Sequence, residues 1–274
     1  MKTNQKTWLL PVIAILAGPA VVPGYAESAR PEASSVSTQI KSFPRLLSGA
    51  GWESAIVLMN LGATPISFRQ SFLANDGTPA SLTVHVGSGS TALSTSALQG
   101  TVGANGSMSY TLTGSSSLQE DWSLLTFEGA SNQLSGYAVL RHTAAGGGFN
   151  FEVTLPLNNM QDSSSRLPFD NSDGFQTQLT IVNPASNLAA QVSLTYFNTQ
   201  GQAILLDSLT LNPGAQTTLV LPNIYPDLAN QSGMVAIQSN INILSVSGLR
   251  LNPATGAIAA IPVMDFNGAA VMVQ

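Results

Sequence analysis

The 274-residue chain contains no cysteine, and only 8% of its residues are charged. Without cysteine the chain has no disulfide framework, no thiol nucleophile and no attachment site for a bacterial lipid anchor. Cationic residues number nine against fourteen acidic ones, and Lys41 is the only lysine beyond residue 6. A chain this poor in cations binds neither a phosphate backbone nor an anionic lipid surface well. The composition therefore argues against nucleic acid and membranes as partners.

Long apolar runs are missing after the N-terminus, where no stretch approaches the ~18 residues of a membrane helix. The N-terminus itself has two lysines before the apolar stretch 8–17, and residues 24–26 (Gly-Tyr-Ala) fit a small-x-small cleavage site. We therefore predict a bacterial signal peptide over residues 1–26 and no membrane insertion. The predicted location is secreted or cell-surface, with the periplasm as an alternative.

The remainder of the chain contains two similar segments with their parts in the same order, which indicates an internal duplication. The matching parts are Phe43-Pro44 with Leu167-Pro168, Gly51–Asn60 with Gly174–Asn183, Gly106–Leu112 with Gly214–Leu219, and Gly136–Arg141 with Ser245–Arg250. The predicted organisation is a disordered leader over 27–42, a first domain over 43–159, a linker over 160–166, a second domain over 167–264 and a C-terminal tail over 265–274.

Apolar and polar residues alternate inside each copy, as from Leu179 to Ile181 and from Val192 to Tyr196. This period of two is typical of half-buried strands. Turns rich in Gly, Pro and Asn separate about seven such stretches in each copy, a number that fits a two-sheet sandwich. We predict an all-β protein made of two tandem immunoglobulin-like antiparallel β-sandwiches.

One region differs between the copies. The first copy is longer between Gly77 and Gly106 than the second copy is between Gly201 and Gly214. The extra residues, placed mainly within 87–105, predict a mobile loop or an extra hairpin at one end of the first sandwich.

A resemblance follows from these motifs: Phe-Pro, then Gly-Trp-x-Ser/Thr, an apolar strand ending in Asn, an aromatic strand with a glycine turn, and a closing strand with proline. This pattern resembles a tandem immunoglobulin-like repeat of uncharacterised secreted proteins of Acidobacteria. It covers nearly all of residues 43–264, with Phe175 in the second copy where the first has Trp52. The resemblance implies export and a sandwich fold, and it brings no activity with it.

Side chains suited to catalysis are few: the chain has two histidines, His85 and His142, and no cysteine. The alternation around His85 predicts that its side chain faces solvent on a strand. No stretch matches the G-x-S-x-G turn that carries the nucleophile of α/β-hydrolases. We predict that the protein is not an enzyme and needs no cofactor.

One short oxygen-rich segment, residues 170–174, is the candidate metal site, with Asp170 and Asp173 as its ligands. The segment lacks the length and the terminal glutamate of a calcium loop. The alternative is an Asx turn that leads into the following strand.

The aromatic side chains that could bind sugar are Trp52, Tyr110, Trp122 and Tyr137, although core packing explains them equally well. Trp122 follows two acidic residues at a strand start, where we expect a partly exposed ring, and it is the candidate ligand-binding residue. Arg141 and Arg250 fall at the same place in the two copies and are interpreted as structural anchors for a carboxylate or for loop carbonyls.

The sequence predicts a secreted, non-catalytic β-sandwich protein with a surface, matrix or adhesion role, which binds an extracellular protein or polysaccharide. Two alternatives remain: a pair of carbohydrate-binding modules, which needs a row of exposed aromatics, and an extracellular hydrolase, which needs converging carboxylates. The apolar tail over 268–274 also suggests self-association, in which the tail pairs with a sheet edge of a neighbouring copy.

Overall fold

The computed structural model describes residues 37–87, 92–114, 116–143, 149–159 and 163–265. The predicted signal peptide 1–26, residues 27–36 of the predicted leader and residues 266–274 of the tail lie outside the described residues. The described residues belong to one compact unit.

The first half of this unit consists of two antiparallel sheets. Its strands are β1 (Thr38–Ser48), β2 (Trp52–Asn60), β3 (Ile66–Ala74), β4 (Leu82–Val86), β5 (Ala92–Thr95), β6 (Ala97–Val102), β7 (Ser107–Thr113), β8 (Gln119–Glu128), β9 (Leu134–Thr143), β10 (Phe149–Pro156) and β11 (Asn158–Asn159). Sheet 1A has the order β11-β1-β8-β3-β6, and sheet 1B has the order β10-β9-β2-β7-β4-β5. Because successive strand residues point to opposite faces, Phe43 and Phe72 of sheet 1A meet Ile56 and Leu112 of sheet 1B in one core.

The second half has the same two-sheet construction. Its strands are β12 (Ser164–Asp170), β13 (Gln176–Val182), β14 (Ala190–Asn198), β15 (Ala203–Leu211), β16 (Gln216–Val220), β17 (Ser232–Ser239), β18 (Ser245–Leu251), β19 (Ile258–Ile261) and β20 (Met264–Asp265), with a helical turn α1 (Leu221–Ile224) and a 3₁₀ turn (Pro226–Leu228) after β16. Sheet 2A has the order β15-β14-β17-β12-β20, and sheet 2B has the order β16-β13-β18-β19. Leu167 and Val235 of sheet 2A pack against Leu179 and Ile181 of sheet 2B.

The two halves correspond strand by strand. Every strand of the second half has a counterpart in the first. In the A sheets, β20-β12-β17-β14-β15 corresponds to β11-β1-β8-β3-β6, and in the B sheets, β19-β18-β13-β16 corresponds to β10-β9-β2-β7. The prediction of an all-β, antiparallel sandwich protein is confirmed. The immunoglobulin-like assignment stays a prediction.

A buried asparagine makes the same contacts at the end of β2 and at the end of β13. The side-chain amide of Asn60 donates to the carbonyls of Thr64, Val102 and Gly103, at 2.7, 3.1 and 3.1 Å. Asn183 donates in the same way to three carbonyls at 2.8, 3.0 and 3.1 Å. Each amide therefore satisfies carbonyls that would otherwise be buried without a partner.

The turn before each asparagine-ending strand is also shared. Trp52 N–H donates to the carbonyl of Gly49, and the two residues between them have φ of 50° and 85°. The equivalent turn of the second half has Asp173 and Gly174 at 53° and 76°. The first copy is one residue longer ahead of this turn because β1 contains a β-bulge between Phe43 and Leu46.

The extra residues of the first half form the hairpin β4–β5, which extends sheet 1B beyond β7. The sequence placed them mainly in 87–105, but that segment also contains β6, which pairs with β3 as β15 pairs with β14. The first sandwich therefore does have an extra hairpin, but this hairpin begins earlier in the chain than predicted.

Two predicted boundaries differ from the strands. Strand β1 begins at Thr38, because residues 38–42 of the predicted leader pair with β8. Strand β12 begins at Ser164, because the last residues of the predicted linker 160–166 pair with β17. In both places an adjacent strand offers backbone donors and acceptors, and pairing satisfies them.

Strand β1 is buried from Lys41 to Ser48, on both of its faces. Its inner side chains belong to the core of the first half, and its outer side chains contact the second half. The hydroxyl of Ser42 donates a hydrogen bond to the hydroxyl of Ser245 at 2.5 Å, and the guanidinium of Arg45 donates to the side-chain oxygen of Gln178 at 2.6 Å. The outer face of sheet 1A therefore packs against the outer face of sheet 2B.

Candidate functional site

Trp122, the predicted surface residue, is only 1% exposed. Its ring lies on the outer face of sheet 1A, and its indole N–H donates to the carbonyl oxygen of Gly214 in the second half at 3.0 Å. The prediction of a partly exposed ring is wrong, because the second half covers the strand that carries it. Trp122 is a contact between the halves and presents no surface to a ligand.

A charged cluster lies beside this contact. The Nε of Arg45 is 3.2 Å from Oε1 of Glu120, and the hydroxyl of Thr218 donates to the same carboxylate from the second half. Burial lowers the pKa of the Arg45 guanidinium, and the charge of Glu120 opposes that effect. Arg45 also donates to Gln178 of the second half. Because separating the halves would remove these partners from buried charged groups, the cluster favours this arrangement of the two halves.

Two glycine turns meet at the far end of the same contact. Gly77 and Gly214 have φ of 85° and 74°, and a Cβ on Gly77 would lie 2.8 Å from the carbonyl carbon of Gly214. Gln216 closes the contact, since its backbone N–H donates to Asn75 and its side-chain amide to Pro44, at 2.9 and 2.8 Å. The backbones approach so closely that a side chain has no room.

The candidate metal segment forms a turn instead of an open set of ligands. One carboxylate oxygen of Asp170 accepts from the N–H and the hydroxyl of Ser172, at 3.0 and 2.6 Å, and the other is 2.7 Å from the guanidinium of Arg250. Burial raises the pKa of Asp170, but the Ser172 and Arg250 contacts outweigh it and hold the pKa below its ordinary value. Asp173 occupies the tight turn. Within the described ranges, no three His, Asp or Glu side chains come together as a metal-binding group.

The two arginines do not share a position. Ser54 and Thr177 are equivalent residues of β2 and β13. Leu140 lies opposite Ser54, whereas Arg250 lies opposite Thr177. Arg141 is therefore one residue out of register with Arg250 and points to the other face of its sheet. Both nevertheless pair with carboxylates, Arg141 with Glu53 and Glu152, and Arg250 with Asp170.

Trp52 and Tyr110 pack within the protein, whereas Tyr137 lies half-buried on the outer face of sheet 1B, opposite Val57. Trp52, His142 and Phe151 form one cluster with ring centroids 4.9 to 5.3 Å apart. Tyr110 is buried and donates its hydroxyl to Gln70, and burial raises its pKa. The faces of these rings pack against one another or against the core.

His85 lies on β4 and its side chain is half-buried, with Nε2 3.2 Å from the hydroxyl of Thr113. It occupies the outer face of sheet 1B, as the alternation predicted. His142 is in the aromatic cluster and does not meet His85, so the two histidines form no common site.

A small apolar cleft of about 270 Å³ lies where the halves meet, lined by Leu155, Val246, Ser247, Ile261 and Val263, among others. The Ser247 hydroxyl is buried there without a hydrogen-bond partner among the described atoms. The cleft is closed on one side by Asn158, whose amide donates to the carbonyl of Val246 at 2.7 Å.

No family model matches this chain, and no curated protein matches it. Among the described residues, no helix has the length and apolar character needed to cross a membrane.

Sequence reasoning missed the residues of the contact between the halves, above all Arg45, Glu120 and Gln216. A signal was present in β13, where the outward residues Thr180 and Val182 are small or apolar, and both are buried in the structure. Outward positions of this kind indicate a strand that is covered on both sides.

Proposed function

We propose that this protein is an exported, non-catalytic protein that acts at a cell surface or in a matrix by binding other proteins through an exposed sheet face. The outer face of sheet 2A carries this proposal. Leu206 is 71% exposed there and Ile204 37%, on the edge strand β15. Met234 lies between Pro168 and Phe197 in the same sheet, and both Met234 and Phe197 are half-buried.

Exposed apolar side chains that are contiguous on one face mark interaction sites more often than isolated ones do. We name these five residues, Pro168, Phe197, Ile204, Leu206 and Met234, the 2A patch. Ser193 and Thr195 on the same face are short and polar, and Arg166, two residues before Pro168 on β12, adds a charged side chain beside the patch. A sheet face with adjoining apolar side chains among polar ones suits a folded protein partner.

Polysaccharide is the second partner class that the sequence suggested, and the side chains favour it less. Each aromatic residue whose exposure is described is buried or half-buried, whereas a sugar-binding sheet face needs a row of free rings. The carboxylate of Glu120, which lies at the contact between sheets 1A and 2B, already pairs with Arg45 and accepts a hydrogen bond from Thr218.

The test is binding by the purified chain 27–274, immobilised and exposed to a polysaccharide array, a panel of hydrolase substrates and the secreted and surface proteins of the organism that makes it. We expect retention of a protein partner, weakened about tenfold or more by Leu206→Asp. The control Leu61→Asp alters an equally exposed leucine outside the patch and is expected to bind normally.

Two results would overturn the proposal. Polysaccharide binding that is lost in Trp52→Ala would assign the protein to carbohydrate recognition. Release of product from any substrate by the purified chain, at a rate abolished by a single carboxylate substitution, would make it an enzyme.

A further inference from the structure

We propose that the 2A patch binds the outer face of sheet 1B of a second copy of this chain, so that copies associate head to tail. The inference rests on the proposed use of sheet 2A as an interaction face, and it names the partner. It follows from the way in which the two halves already contact each other.

Inside one chain, the outer face of a first sheet packs on the outer face of a second: sheet 1A on sheet 2B. Sheet 2A is the strand-by-strand counterpart of sheet 1A, and sheet 1B is the counterpart of sheet 2B. Each half therefore has one outer face of the A type and one of the B type. The internal contact uses the A face of the first half and the B face of the second. Among the described residues, the outer faces of sheets 2A and 1B are left without a covering element.

The ladders show which side chains stand at equivalent places. Asp121 pairs with Leu46 as Gly233 pairs with Phe169, so Trp122 corresponds to Met234. Leu73, opposite Trp122, corresponds to Phe197, opposite Met234. Pro168 and Met234 thus stand where Arg45 and Trp122 of sheet 1A are buried against the other half. Phe197 and Leu206 extend the patch towards the edge strand, where their counterparts Leu73 and Ala97 are half-buried.

The turns at the edge of the contact correspond as well. Gly77, pressed against Gly214 within the chain, corresponds to Gly201, which has φ of 77° and open space around it. Gly214 itself corresponds to Asn105, which keeps the left-handed conformation with φ of 52°. Asn105, unlike Gly214, carries a side chain, and a Cβ at the Gly214 position would lie 3.0 Å from the Cα of Gly77. The Asn105 turn of a second copy would therefore lie farther from Gly201 than Gly214 lies from Gly77.

The outer face of sheet 1B offers side chains suited to an apolar patch. Val57 stands where sheet 2B has Thr180, and Ser109 where it has Thr218. Met59 and Tyr137 lie beside Val57 on the same face and are half-buried. The same face carries the Arg141 ion pairs with Glu53 and Glu152 towards the start of β2. The internal contact is secured by Arg45 and Glu120, whereas around Val57 this pair of faces would associate through apolar contact and hydroxyl groups.

Such a contact joins two different faces, so it does not close on itself in a dimer. Each copy offers one free 2A face and one free 1B face, and further copies add at both ends. This arrangement predicts open-ended association that grows with concentration.

The test is sedimentation of purified chain 27–274 alone, without any other protein. Wild type is expected to exceed the mass of two chains as the concentration rises. Leu206→Asp, which alters the 2A patch, and Val57→Asp, which alters the 1B face, are each expected to remain at the mass of one chain. A mixture of the two variants is expected to stop at two chains, because one intact 2A face and one intact 1B face remain.

Gln99→Asp, an exposed change on neither face, is the control and should associate like wild type. Phe197→Ser is a second patch variant, and circular dichroism shows whether each variant is folded. Wild type that stays at one chain overturns the inference. So does association of Val57→Asp alone, which would mean that 2A faces pair with each other, and so does association lost only on deletion of residues 266–274, which would assign it to the tail.

This measurement separates the inference from the proposed function. A chain that never self-associates but retains a foreign protein through Leu206 contradicts the inference alone. A chain that self-associates and retains no foreign protein contradicts binding to other proteins alone.

Discussion

The outer faces of sheets 1A and 2A hold the same place in their halves and have different neighbours. Sheet 1A carries Arg45 and Trp122, which the second half buries, whereas sheet 2A carries Pro168 and Met234 at those positions and leaves them partly exposed. A sandwich face of this kind is therefore covered where it supplies a matched charge cluster and a large ring. The same backbone without those groups presents an open surface.

Trp122→Ala is expected to have the largest effect on this comparison. Removing a buried tryptophan leaves a cavity between the halves and costs about 3–5 kcal/mol in the free energy of unfolding. Met234→Ala, at the equivalent and partly exposed position, is expected to cost about 1 kcal/mol. Urea denaturation of both variants measures the difference. Equal losses would mean that the ring does not contribute through the contact between the halves.

Asp121 gives a second test of the comparison between sheets 1A and 2A, because its burial makes stability depend on pH. The residue lies where β17 has Gly233, and burial, followed by the charge of Glu120, raises its pKa to about 6. Because this pKa is higher than in the unfolded chain, the free energy of unfolding falls as the pH rises from about 4 to about 6. The full difference from the ordinary value of 3.8 would correspond to about 3 kcal/mol, and solvent screening reduces the loss below that.

Asp121→Asn is expected to be more stable than wild type at pH 7, with an advantage that shrinks towards pH 4. Denaturation at pH 4, 5, 6 and 7 measures it. Asp170→Asn is the matched control of opposite sign: the pKa of Asp170 is lowered, so this variant should be less stable at pH 7, and the deficit should vanish as the pH falls through that pKa. An Asp121→Asn advantage that does not change with pH would contradict the assignment.

Asn60→Ala and Asn183→Ala test what the halves share. Each substitution removes three hydrogen bonds to backbone carbonyls and leaves buried acceptors without partners, so each is expected to cost about 2 kcal/mol. Thermal unfolding of the two variants checks that the losses agree within about 1 kcal/mol. A variant with no loss would show that its asparagine is not needed at the strand end.

Gly77→Ala and Gly201→Ala test the close approach of the two turns at the contact between the halves. Both positions have positive φ, and alanine there costs each variant about 1 kcal/mol. Gly77→Ala also forces its Cβ against the backbone of Gly214, which adds about 1–2 kcal/mol of overpacking. Parallel urea titrations resolve the difference, and identical midpoints would contradict the close approach of the two turns.

The alternation of apolar residues was sufficient to predict the sandwich class and the inner faces of strands such as β13. The predicted number of about seven strands per copy was too low, since the described residues form eleven strands in the first half and nine in the second. Leu179 and Ile181 are both fully buried in the second core, as their spacing indicated. Such predictions succeed because the inner face of a strand is decided by its own sheet and the sheet opposite.

The contact between the halves was not predicted, because it depends on residues far apart in sequence. The indole of Trp122 bonds a carbonyl 92 residues away, and nothing near Trp122 in the chain indicates that partner. Arg141 and Arg250 were aligned by similar neighbours, and the ladder shows a one-residue offset that sequence similarity could not reveal. The metal prediction at Asp170 depended on side-chain partners, and Ser172 and Arg250 already bind that carboxylate.

The position of Trp122 also provides an optical signal. The sequence has three tryptophans, Trp8, Trp52 and Trp122, and the first lies in the predicted signal peptide. In the chain 27–274, fluorescence comes from one ring in the aromatic cluster of the first half and one ring between the halves. In a Trp52→Phe background, the emission of Trp122 alone would report separation of the halves in real time.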